Sequence, residues 1–198
     1  MSTHNRQPDH PINPMFTDRW SPRALTGEPI PEATLMTLLE AARWAPSSFN
    51  SQPWRFIWAR RDTPAWGPLF ETLNPINQSW AQRASALVLV VSRTQWVPPG
   101  KTEAAALGAH AFDTGAAWAS LAFQAHLSGW QTHAIGGFDR DRARANLGIP
   151  ADCAVHAVIA IGRRGDAAVL TDEQRAREQP NARHPLSTLV AEGRYAFD

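Results

Sequence analysis

Residues 85–92 read SALVLVVS, and from Ala86 to Val91 no polar residue interrupts the run. A strand with one wet face alternates polar and apolar residues, whereas a strand covered on both faces is a short unbroken apolar run. The stretch therefore reads as a buried strand, and AVHAVIAIG at 154–162 reads the same way. A sheet covered on both faces needs helices to cover it. PEATLMTLLEAARWAP at 31–46 supplies one: Pro31 suits the first helical position, Leu35, Leu38, Leu39 and Ala42 share a face, and Pro46 stops it. Residues 101–130 read as a long helical segment ended by Gly129, with small residues at Gly115, Ala116, Ala119, Ala122 and Ala125. Such a face admits another helix closely, in a core or between subunits.

The remaining pieces are shorter. WRFIWARR at 54–61 is an aromatic strand, and QTHAIGGF at 131–138 a short strand and turn. DRDRARANLG at 139–148 is a helix capped by Asp139 and closed by Gly148. Residues 63–84 are irregular with short helical pieces, and the tail from Asp172 is polar. Strands and helices do not alternate as a doubly wound sheet requires, so the class is α+β. Residues 1–14 read as a flexible N-terminal arm and 15–198 as a single domain.

Composition removes several function classes. A formal net charge of +1 over 198 residues, with no polybasic run, argues against a nucleic-acid partner. No apolar run approaches the length of a membrane span, and the polar, proline-rich start lacks a signal sequence's apolar region. The single cysteine, Cys153, excludes an internal disulfide framework and points to a reducing, cytoplasmic setting. It sits at a buried strand and reads as core. No dinucleotide fingerprint, phosphate-binding P-loop, nucleophile elbow or zinc-protease motif occurs. His110 and Asp113 have metal-ligand spacing but no evident further ligands, so no metal is expected. His126 and His133 read as packing or hydrogen-bonding residues.

Other segments carry candidate chemistry. In RWSPR at 19–23, Pro22 disfavours helical geometry at Ser21, which splays Arg19 and Arg23 around one point. Arginine's planar fork suits a phosphate; a solvated surface loop is the competing reading. APSSFNSQPW offers Ser47, Ser48, Asn50 and Gln52 between a helix and a strand. These groups both donate and accept, as the edge of a flavin ring requires, although serine and asparagine also favour plain turns. Gly136 and Gly137 after a strand either let a backbone N–H approach a flat ligand or form an ordinary turn.

Taken in order, RWSPR, ARWAPSSFNSQPWRF, NQSWAQRASALVLVV, DTGAAWASLAFQAHLSGWQTHAIGGFD, LGIPADCAVHAVIAIG and NARHPLS resemble the FMN-dependent nitroreductase family across nearly the whole chain after the first fourteen or so residues. The resemblance implies a central, mostly antiparallel sheet flanked by helices, in an intertwined homodimer with two flavin sites between the subunits. It implies that Arg19, Arg23 and Arg183, with Ser21, hold the FMN phosphate. Ser47, Ser48 and Asn50, and less firmly Gln52, would reach the flavin of the other subunit. Asn77 would touch the ring, and Gly136, with Gly137 beside it, would offer an N–H to flavin N5. The whole implied contact set is Arg19, Trp20, Ser21, Arg23, Ser47, Ser48, Asn50, Gln52, Asn77, Asp113, Ile135, Gly136, Gly137 and Arg183.

Three positions depart from the family pattern. Trp80 stands where a lysine is common, Asp113 where some members have glutamine, and Gly136-Gly137 where Glu-Gly is common. Loss of the lysine charge stabilises an anionic reduced flavin less. The implied activity is ping-pong hydride transfer from NADH or NADPH through the flavin to a small acceptor: a nitroaromatic, quinone, enone or aldehyde. A non-catalytic protein holding FMN or another phosphorylated ligand is the competing reading. Trp54, Trp80 and Trp96 either line a flat pocket or belong to the core.

Overall fold

The computed structural model describes residues 6–197. Its centre is a four-stranded sheet in the order β1-β2-β6-β5, with β1 at Trp54–Arg60, β2 at Ala86–Arg93, β5 at Gln131–Ile135 and β6 at Cys153–Gly162. Every neighbouring pair in it is antiparallel. A small hairpin joins β3 (Gln95–Trp96) to β4 (Ala105–Ala106). The helices are α1 (Met15–Asp18), α2 (Glu32–Arg43), α3 (Trp66–Phe70), α4 (Pro75–Ala81), α5 (His110–Leu127), α6 (Arg140–Leu147) and α7 (Asp172–Ala176).

The unbroken run in β2 has the expected cause. Leu87, Leu89 and Val91 face one apolar layer, with Leu69, Leu73, Trp80 and Phe138. Ala86, Val88 and Val90 face the other, with Leu35, Leu38 and Ala42 of α2 and Ala117, Leu121 and Ala125 of α5. Burying one such leucine contributes roughly 1.5–3 kcal/mol, so the two layers hold the sheet between helices. The pairing of β2 with β6 slips between Val90 and Val91: Val90 faces Ala157 while Val91 faces Val155. The bulge skips His156, whose Nε2 lies 2.6 Å from the Ser92 hydroxyl, itself 2.7 Å from His110 Nδ1.

Local signals set most boundaries. The Asp139 side chain accepts from the Arg142 N–H at 2.9 Å to start α6, and Gly148 closes it at φ 64. Asn74 caps α4 in the same way, with Pro75 in its first turn. Two expectations need correction. Pro31 is the N-cap of α2 rather than its first helical residue, and the helix ends at Arg43, before the Ala45–Pro46 step that disfavours helix. The long helix starts at His110, not near Lys101. Ala105 and Ala106 pair with Trp96 and Gln95, and the Leu107 N–H donates to the Thr94 carbonyl at 2.8 Å. That pairing overrides the helical propensity of the alanine-rich stretch.

Among the described residues no helix is long and apolar enough to cross a membrane. The expected arm falls partly on residues 1–5, outside the described residues. Its described part is tied to the C-terminal tail: Leu186 N–H donates to the Asp9 carboxylate at 2.7 Å.

Candidate functional site

A cavity of about 720 Å³ lies where the two ends of the chain meet. Arg19, Trp20, Ser21 and Arg23 line it from the N-terminal side, Arg177 and Arg183 from the C-terminal side, and His133 of β5 from below. Glu178 holds the two sides together, its carboxylate accepting from the Arg23 N–H at 2.9 Å and the Ala24 N–H at 2.8 Å. Arg19 donates to the Trp20 carbonyl at 3.0 Å and reaches the Ser21 hydroxyl at 3.4 Å. Trp20 is buried, with the Arg164 guanidinium over its ring. A smaller cavity of about 260 Å³ shares Arg19, Ser21 and His133 and continues over Ala119 and Ala122 of α5.

The electrostatics are one-sided. Burial pushes the Arg19 pKa down, and the neighbouring Arg6 and Arg183 push it further. Among the described residues no carboxylate pairs with the Arg19, Arg23 or Arg183 side chains. Guanidinium groups that line one cavity and pair with no carboxylate favour an anion between them. His133 feels the same field. Burial chiefly, then Arg23, lowers its pKa to about 4, against a smaller opposing effect from the Pro22 and Ser21 backbone. A pKa that low leaves the ring neutral at pH 7, with Nδ1–H donating to the Pro22 carbonyl at 3.2 Å.

His133 connects this cavity to the glycine turn. Its ring packs on Trp80, centroids 4.7 Å apart, and Trp80 Nε1 donates to Asn77 Oδ1 at 3.3 Å. Asn77 Nδ2 in turn donates to the Gly137 carbonyl at 2.9 Å. The Leu73–Phe138 bridge brings α4 beside the turn. The two glycines differ. A Cβ on Gly137 would stand 2.6 Å from Asn74 Nδ2 and 2.7 Å from Asn77 Nδ2, whereas one on Gly136 would meet nothing within 4 Å. Ile135, the last residue of β5, is buried beneath them.

The serine loop stands elsewhere. Ser47, Ser48, Asn50 and Gln52 do not line the arginine cavity. Phe49, Asn50 and Gln52 all have left-handed backbone, at φ 52, 52 and 46. Such positions cost roughly 1–3 kcal/mol each and persist only where surroundings enforce them. Asp113, 4% exposed, accepts from the Ser48 N–H at 3.0 Å, and the Gln52 N–H donates to the Ser47 hydroxyl at 3.1 Å. Asp113 thus anchors this loop at the start of α5, while Ala122 borders the arginines about 14 Å further along the same helix.

Of the tryptophans, Trp54 and Trp80 are core, and Trp96 is half-buried under an exposed Phe49 at 5.7 Å. Sequence reasoning missed Arg6, Arg177 and the lining role of His133. No local pattern marks them, because only folding brings them to the cavity. Among the described residues no group of three or more histidine, cysteine or acidic side chains is placed to hold a metal.

Comparison with known proteins bears on the family and the fold. The model of the nitroreductase family matches residues 16–65. A crystal structure of an oxidoreductase containing FMN is 44% identical, with the whole of both chains covered and a TM-score of 0.95. The chain belongs to the nitroreductase family. A family member of known structure from Clostridium difficile 630, at 20% identity, a TM-score of 0.69 and coverage of 91% of this chain and 97% of its own, shares the fold. NADH dehydrogenase of Thermus thermophilus is 29% identical over a 171-residue alignment, with 73% of this chain and 82% of that one covered. The antiparallel sheet between helices is thus the nitroreductase arrangement, as the sequence resemblance implied.

Proposed function

We propose that the protein binds FMN and uses NADH or NADPH to reduce a small acceptor. That it is an oxidoreductase follows from its place in the nitroreductase family; the acceptor class, the site residues and the homodimer are the extension. The observation that carries the reading is the cavity lined by Arg19, Arg23 and Arg183, whose side chains pair with no carboxylate among the described residues. A phosphate monoester is the anion such a set suits, because each fork can give parallel charge-assisted bonds.

The residues fit FMN at both ends. Arg19, Arg23 and Arg183 would hold the phosphate, with the Ser21 hydroxyl beside them. Gly136 borders open space in which its backbone N–H can meet a flat ring, and Asn77 lies next to that turn. Bound FMN supplies two-electron transfer between a nicotinamide and the acceptor. Asn77 and Gly136 would orient the ring, and buried Trp80 and neutral His133 would add no formal charge beside it. Asp113 holds the serine loop in its left-handed form, ready for the neighbouring subunit's site. The acceptors that fit are nitroaromatics, quinones, enones and aldehydes.

Anaerobic mixing tests the reading. The flavin-loaded protein should bleach with NADH or NADPH and recover its colour when a quinone or nitroaromatic is added. A flavin that stays oxidised with both nicotinamides would favour a non-catalytic FMN carrier instead.

A further inference from the structure

We propose that Arg6 is a positioning residue that locks the two halves of the phosphate clamp together, an inference that rests on the FMN reading above. Arg6 lies in the N-terminal segment, outside every motif discussed so far, yet it lines the arginine cavity. Its Nη1 donates to the Thr17 carbonyl at 3.0 Å and the Arg19 carbonyl at 2.8 Å. Its Nε donates to the Asn181 carbonyl at 2.7 Å. One planar guanidinium therefore spans the backbone of both clamp segments.

Arg183 shows why this matters. It is exposed, and its Nη1 donates to the carbonyls of Asn181 and Ala182, its own near neighbours. Those bonds fix Arg183 relative to residue 181 but not relative to Arg19. Glu178 ties the C-terminal segment to the Arg23 and Ala24 backbone, and the Arg6 bonds to Asn181 and Arg19 add the link at the level of the two clamp arginines. The fork geometry is needed, because a lysine ammonium is a point charge on a flexible stem and cannot hold carbonyls in a fixed plane. The crowding agrees: burial and then Arg183 lower the Arg6 pKa, and burial followed by Arg6 and Arg183 lowers that of Arg19. A phosphate between them relieves repulsion that Arg6 maintains by holding the segments close.

The test compares dissociation constants for FMN and riboflavin in the parent, R6A and R6K, by fluorescence titration. Riboflavin has the ring without the phosphate, so the FMN-to-riboflavin preference isolates the clamp from the fold and the ring pocket. The preference should fall at least tenfold in R6A and nearly as far in R6K, with riboflavin affinity unchanged. A preference in R6A within twofold of the parent's would overturn the proposal, and so would full recovery in R6K, which would make Arg6 a charge and nothing more. If the parent itself shows no preference for FMN, the flavin reading fails and Arg6's role falls with it. An undiminished preference in R6A removes Arg6 alone.

Discussion

At the scale of one residue, His133 carries a pH dependence set chiefly by its burial and then by Arg23. Its folded pKa of about 4 lies below the ordinary 6.5, so the native state favours the neutral ring. The unfolded chain then binds more protons between these values, and stability falls as pH drops through that window. Above about pH 6.5 the contribution is complete, and below about pH 4 nothing further is lost. The loss amounts to about 3 kcal/mol. Urea unfolding of the parent from pH 7 to pH 4 should show it, and His133→Phe should flatten the slope. Reading the histidine as a hydrogen-bonding residue was possible from sequence; its place beside Arg19 and Arg23 was not, because β5 meets that segment only in the folded chain.

The glycine turn and the serine loop are the informative elements. Gly136→Ala should leave the melting temperature of the flavin-free protein nearly unchanged, since its Cβ meets nothing, yet weaken FMN binding by filling the ring's space. Gly137→Ala should destabilise the protein itself by roughly 1–3 kcal/mol, because its Cβ collides with the Asn74 and Asn77 amides. Calorimetry paired with flavin titration separates the two. What was legible here follows from locality. The run Ala86–Val91 declared a strand because both faces are covered, and Asp139 with Gly148 declared a helix because caps act within a few residues. The stretch before His110 was misread because its partner, Gln95–Trp96, lies outside the window in which helix propensity is judged. The turn-prone Ser47–Gln52 segment is visible in the sequence, but its anchor, the Asp113 carboxylate on the Ser48 N–H, lies more than sixty residues away.

The whole molecule brings the ends of the chain to one cavity and leaves the serine loop far along α5 from it. If each flavin site draws its arginines from one subunit and its loop from the other, complementation follows. Arg19→Ala and Asn50→Ala homodimers should each bind FMN poorly. Mixed and re-annealed, their heterodimers should regain one intact site, since one clamp and one loop still face each other. Sites built within a single chain would leave every heterodimer with no intact site, and titration of mixed samples distinguishes the two.

The FMN reading stands on guanidinium groups from both ends of the chain gripping a phosphate. Equilibrium dialysis of the flavin-free protein against FMN and against riboflavin, in parent and in Arg19→Ala, addresses it most directly. The parent should hold FMN at least tenfold more tightly than riboflavin, as one charge-assisted bond of about 1.5–3 kcal/mol requires, and Arg19→Ala should lose most of that margin. Equal affinity of the parent for the two flavins, or a margin untouched by Arg19→Ala, would contradict it.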